Sequence, residues 1–140
     1  MPDKISKERR SENMRRIQSK DMEPEMVIRR LVYGMGYRYR LHRTDLPGKP
    51  DLVFPSRKKV IFVHGCFWHQ HGDPDCKIAR RPKSNLDYWN PKLDRNVKRD
   101  TSNQAELQEM GWDHLIVWEC QARGREDSEN MAIRIANFLG

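Results

Sequence analysis

Within thirteen residues, HGCFWHQHGDPDC from His64 to Cys76, the chain gathers three of its five histidines and two of its three cysteines. Cys66, His71 and Cys76 follow a C-x4-H-x4-C spacing, and Cys120 lies far downstream. Three thiols and one imidazole are the donors of a closed tetrahedral Cys3His zinc site. Such a shell leaves no position for substrate, so the zinc would be structural. The bland alternative is three small buried thiols beside a solvated histidine. Asp73 is an oxygen ligand that could exchange places with His71.

A second set stands apart from those four. Asp51 follows Pro50 at the start of an expected strand, and the next strand ends in His64. Many Mg²⁺-dependent nucleases combine a Pro-Asp with an acid-x-Lys triplet on the neighbouring strand. Here that triplet is Phe62-Val63-His64, without the acid or the lysine, and many Pro-Asp pairs merely begin strands. Asp100 shares a helical face with Leu93, Val97, Gln104 and Leu107, where a carboxylate needs a partner. Glu25 falls in a first helical turn, where the helix dipole alone could account for it. His69 is not needed for zinc. Carboxylates for Mg²⁺ and histidines for proton transfer are the parts of metal-assisted phosphodiester hydrolysis.

The elements that must position these residues follow from periodicity. EPEMVIRRLVYGMG predicts a helix with Pro24 in its first turn and Gly36 at its close. YRYRL, DLVF, VIFVH and WDHLIVWE predict strands, VIFVH with both faces buried. Residues 65–84 read as a long irregular loop, a helix is expected from Asn90 with Pro91 at its first position, and SENMAIRIANFL closes the chain as an amphipathic helix. The sum is an α/β domain over residues 23–140, a small mixed sheet flanked by helices, preceded by a highly charged segment over residues 1–22.

Net charge is +7, with surpluses of six positive charges over both residues 1–43 and residues 77–99, and five excess negative charges after residue 99. That distribution suits a polyanion on one face. No apolar run reaches the roughly 20 residues of a membrane span, and MPDKISKERR lacks a signal peptide's apolar core, so a cytosolic protein is expected. Cysteines clustered with histidine in such a compartment point to metal ahead of disulfides.

LPGKPD, VIFVHGCFWH, NVKRD, ELQEMGW, LIVWEC and RGRE, in this order, resemble the very short patch repair (Vsr) mismatch endonucleases, and the likeness runs from SENMRRIQSKD to about Arg125. The resemblance implies a restriction-endonuclease-like fold acting as a monomer. It implies nicking of duplex DNA 5′ to the T of a T:G mismatch left by 5-methylcytosine deamination, beside a cytosine-5 methyltransferase and alongside mismatch-repair proteins. By the same resemblance Asp51 bridges Mg²⁺, the Val63 carbonyl is a further Mg²⁺ ligand, and Glu25, His64 and Asp100 act partly through metal-bound water. His69 would be the general base, Cys66, His71, Cys76 and Cys120 the zinc ligands, and Met14 would enter the DNA from the groove opposite Phe67 and Trp68. Two features depart from the family pattern: the His71–Cys76 spacing is longer, and position 63 is valine where a hydroxyl residue can occur.

A T:G wobble pair stacks imperfectly, and apolar side chains act as wedges where unstacking costs only a few kcal/mol. Phe67 and Trp68 can supply replacement stacking, unless they are simply core residues. Two rival classes remain: a dimeric restriction or junction-resolving nuclease on the same scaffold, and a zinc-stabilised DNA-binding module without catalysis.

Overall fold

The computed structural model describes residues 23–41, 43–71 and 76–140. The segment 1–22, with Met14, and Asp73 lie outside the described residues. Helix α1 spans Pro24–Gly34 with proline at its first position. Its Ile28 and Val32 are buried, one turn apart on the face turned to the sheet. Gly36 follows at φ +98, a conformation that only glycine adopts without strain.

Four strands follow: β1 Arg40–Leu41, β2 Leu52–Phe54, β3 Lys59–His64 and β4 Asp113–Trp118. They lie in sequence order, with β1–β2 and β2–β3 antiparallel and β3–β4 parallel. The expected YRYRL strand shrinks to two residues. Tyr37 and Tyr39 pack toward the α1 core instead, and the Tyr39 hydroxyl donates to the Arg29 carbonyl at 3.2 Å.

Both faces of β2 and β3 are covered, which explains their continuous apolar runs. One core joins Ile28, Val32, Leu52, Phe54, Ile61 and Val117 to Met131, Ile135 and Leu139 of helix α4, Ser128–Leu139. Asp127 caps α4 by accepting the Asn130 N–H at 2.8 Å. The opposite core is built from Leu46, Val53, Val60, Phe62 and Leu107. Leu107 belongs to the long helix α3, Leu86–Glu109.

Two expectations need correction. The segment after β3 is not wholly irregular, because Cys66–His69 form a one-turn helix, α2, closed by Gln70 at φ +49 with its N–H on the Cys66 carbonyl. Helix α3 begins at Leu86, four residues before Asn90, and Pro91 sits inside it. The missing proline N–H deletes one bond near the N-terminal end, while Tyr88 and Trp89 N–H groups are already satisfied by the Asn85 carbonyl.

The loop that delivers Asp51 is tightly built. Gly48 has φ +80, and a Cβ there would stand 3.0 Å from Phe62 Cε1 and 3.2 Å from Asn103 Cβ. Pro50 behind it is buried.

Candidate catalytic and metal-binding site

Parallel pairing sets His64 opposite Trp118, so the ends of β3 and β4 lie side by side. Two residues beyond each end stand Cys66 and Cys120, and the Cys120 N–H donates to Cys66 Sγ at 3.3 Å. His71 Nε2 is 3.7 Å from Cys120 Sγ. Donor atoms of Cys66, His71, Cys76 and Cys120 all fall within 4.8 Å of one another, and the three cysteines are buried as free thiols.

Burial pushes the Cys66 thiol up to about 12. Burial acts the same way on Cys76, but N–H donors of Ala79 and Ile78 with the two neighbouring thiols outweigh it and bring that thiol down. Buried sulfurs this close cannot all ionise without a cation, whereas a thiophilic ion deprotonates and joins them. The donor set therefore fits a closed metal site.

Asp51 sits at the entry to β2, its own N–H on the Ile61 carbonyl at 3.2 Å. Its Oδ2 accepts the Val63 N–H at 2.6 Å. Burial first, and the adjacent Glu25 carboxyl second, raise the Asp51 carboxyl to about 7 against the pull of the Val63 N–H. Glu25 arrives from the first turn of α1 and pairs with Arg29 at 3.3 Å. Two carboxyls in partly buried contact repel when both ionise, and a divalent cation relieves that repulsion. This pair fits a hard cation.

The third group starts from His64, the next residue of β3 after Val63. His64 is 6% exposed, and its ring stacks on His69 at 3.9 Å with an interplanar angle of 11°. Burial, then His69, lower His64 to about 4 against the opposing effect of Asp100, so it is neutral at neutral pH. Its Nδ1 is buried with no hydrogen-bond partner among the described residues. His69 Nδ1 lies 2.5 Å from Asp100 Oδ2, which answers why a carboxylate occupies that face of α3. An imidazole whose Nδ1 is held by a carboxylate presents Nε2 as a proton acceptor.

Between Cys66 and His69 the chain carries its rings. Phe67 is half-buried and Trp68 is 45% exposed. Trp89 of α3 completes the cluster, 5.4 Å from Phe67 and 6.1 Å from Trp68. Gln70 fixes the far end of α2: its amide donates to the Phe67 and Ala79 carbonyls, and its Oε1 accepts from Arg81, which also binds Asn90 and Asp94 of α3.

The structure thus brings the expected residues together in three neighbouring groups. Glu25 adjoins Asp51, whose carboxylate accepts the Val63 N–H, and His64, the next residue of β3, groups with His69 and Asp100. Sequence reasoning missed Trp89, and also Trp118, whose ring lies 5.3 Å from His64 and 4.6 Å from His71. The aromatic-rich LDYW stretch was the available signal for Trp89, obscured by starting the helix too late.

The family described as DNA mismatch endonuclease Vsr matches residues 2–77. The type II nicking enzyme V.XorIIP of Xanthomonas oryzae pv. oryzae is 48% identical over 99% of this chain and 98% of its own. The DNA mismatch endonuclease Vsr of Escherichia coli K12 is 41% identical over 95% of this chain and 83% of its own. The type II nicking enzyme V.NmeAIP of Neisseria meningitidis is 38% identical over 89% and 87%.

Proposed function

Because this chain belongs to the Vsr family of DNA mismatch endonucleases and is a nicking endonuclease of mismatch repair, we propose that it cuts one strand of duplex DNA 5′ to the T of a T:G mismatch produced by 5-methylcytosine deamination. One observation carries this reading. The four residues of α2 hold, in order, the metal-cluster thiol Cys66, the rings Phe67 and Trp68, and His69 bound to Asp100. That helix directly follows the strand whose Val63 N–H binds Asp51. Bracing, mismatch sensing and proton transfer are therefore contiguous in the chain.

Asp51, the Val63 carbonyl and Glu25 are the residues that would hold Mg²⁺, which supplies Lewis-acid stabilisation of charge on the scissile phosphate. In antiparallel backbone a residue's N–H and C=O face the same neighbour, so the Val63 N–H directed at Asp51 supports its carbonyl in that role. His69 Nε2 takes the proton of the attacking water as its oxygen bonds to phosphorus and the phosphorus–oxygen ester bond breaks. Asp100 fixes the His69 ring and stabilises the imidazolium, and neutral His64 stacks behind it.

Zn²⁺ is the cation whose preference matches three thiolates and an imidazole, and Cys66, His71, Cys76 and Cys120 would hold it as a closed structural site. The mixed sheet, with an aspartate entering β2 and helices over both faces, supports a restriction-endonuclease-like fold across residues 23–140. Phe67 and Trp68, backed by Trp89, form the wedge, and Met14 on the DNA-contacting segment 1–22 enters from the other groove. Among the described residues no helix is long and apolar enough to cross a membrane. The proposed setting is the bacterial cytosol, where the enzyme works as a monomer beside a cytosine-5 methyltransferase and mismatch-repair proteins.

The test is nicking of end-labelled duplexes that differ only in T:G against T:A, with Mg²⁺ or with EDTA. A Mg²⁺-dependent nick confined to the T strand of the mismatch is expected. Equal cutting of both duplexes, or cutting that survives EDTA, refutes the reading.

A further inference from the structure

Between α1, β1 and the β2–β3 turn lies a cleft of ≈ 610 Å³. Arg29, Tyr33, Arg38, Tyr39, Arg40 and Arg43 form most of its wall. Arg38 lies 4.0 Å above the Tyr33 ring, with NH1 directed at the Tyr37 carbonyl. Arg43 is engaged by Asp45, but Arg38 and Arg40 are exposed and meet no carboxylate among the described residues. Arg29 NH1 binds Glu25, while Arg29 Nε is buried without an acceptor among the described residues.

Four guanidiniums around one concavity describe a polyanion site. Arg29 decides which polyanion, because it both lines the cleft and pairs with the Glu25 carboxyl that lies against Asp51. A strand whose scissile phosphate sits at Asp51 would meet this wall next.

We propose that the cleft is a phosphate-binding track that holds the DNA backbone beyond the scissile position, with Arg38 and Arg40 as its principal contacts. The inference rests on the DNA-nicking reading and gives it a second grip, separate from the basic segment 77–99.

The experiment measures equilibrium binding of the full chain to a labelled T:G duplex without Mg²⁺, at salt from about 50 to about 200 mM. Each phosphate contact contributes about 0.9 to the slope of log affinity against log salt. R38Q/R40Q should lower the slope by about 1.8, so wild type loses about 12-fold more affinity than the variant across that range. R38K/R40K, which keeps both charges, should restore most of it. The single exposed change R40Q, expected to lower the slope by about 0.9, serves as the readout if the double variant melts early.

An unchanged slope in a normally folded R38Q/R40Q overturns the proposal. So does a polyglutamate probe that binds wild type and not the variant while the DNA slope stays the same, which would assign the cleft to an acidic protein segment. Wild-type nicking of the same duplex separates the two readings: cutting with unchanged slopes removes the track alone, and no cutting removes the parent activity.

Discussion

Asp51→Asn should abolish nicking yet make the Mg²⁺-free protein more stable at alkaline pH. In the folded chain the Asp51 carboxyl is raised from 3.8 to about 7 by burial and by Glu25. An unfolded aspartate releases its proton near the lower value, so the folded state binds the extra proton between the two. Stability from this group is complete below about pH 4 and is lost as pH rises through 7. At about 1.36 kcal/mol per pH unit the loss is a little over 4 kcal/mol, and partial solvent contact brings the expectation to about 2–4 kcal/mol at pH 8. Asparagine carries no charge to desolvate and can still accept the Val63 N–H. With the proposed cysteine-bound metal left in place and Mg²⁺ absent, calorimetry should find the variant melting roughly 8–15 °C above wild type at pH 8. The gap should close as pH falls toward about 4. Added Mg²⁺ should raise the wild-type melting point and leave the variant's almost unmoved, while T:G duplex binding persists in both. A variant that is less stable at pH 8, or a gap independent of pH, would refute the assignment of Asp51 as a strained, cation-awaiting carboxylate.

Asp100→Asn leaves the His69 ring without its carboxylate, and single-turnover nicking should slow by about 10²-fold or more with mismatch affinity unchanged; a change below threefold would detach Asp100 from proton transfer. Phe67→Ala with Trp68→Ala removes stacking worth about 1–3 kcal/mol per base, so competition binding should find T:G preference over T:A reduced by about tenfold or more. Equal preference in variant and wild type would mean the rings serve only packing. Stripping the metal from the cysteine cluster, followed by calorimetry and metal analysis, should cost at least about 3 kcal/mol and lower the melting temperature by roughly 10 °C; an apo chain that melts like the loaded one would demote the site.

The elements surrounding the chemistry were legible where the local pattern and the tertiary environment agree. Helix α4 occupies the expected residues 128–139, and β3 carries the continuous burial that VIFVH implies. Asp100 needed a partner on its helical face and has His69, a contact across thirty-one residues that no periodicity specifies. The errors arose where local rules compete. Pro91 suits a helix start, yet Asn85 at φ +58 begins α3 earlier and carries Tyr88 and Trp89 into place. YRYRL alternates like a strand, but a three-residue β2 leaves most of it without a pairing neighbour. Metal-ligand spacing revealed the cysteine cluster because Cys66 and Cys120 each follow a strand by two residues, and parallel pairing of those strands turns a distance of 54 residues into a contact.

The glycine at position 48 ties cutting to the interior. At φ +80 any side chain there is strained, and a Cβ 3.0 Å from the Phe62 ring would make the ring or the turn give way. Phe62 is rooted in the core and Asp51 stands three residues on, so outward movement would drag the carboxylate away from its seat. Substitution at this codon should therefore impair nicking ahead of folding, because the strain falls on the turn that carries Asp51.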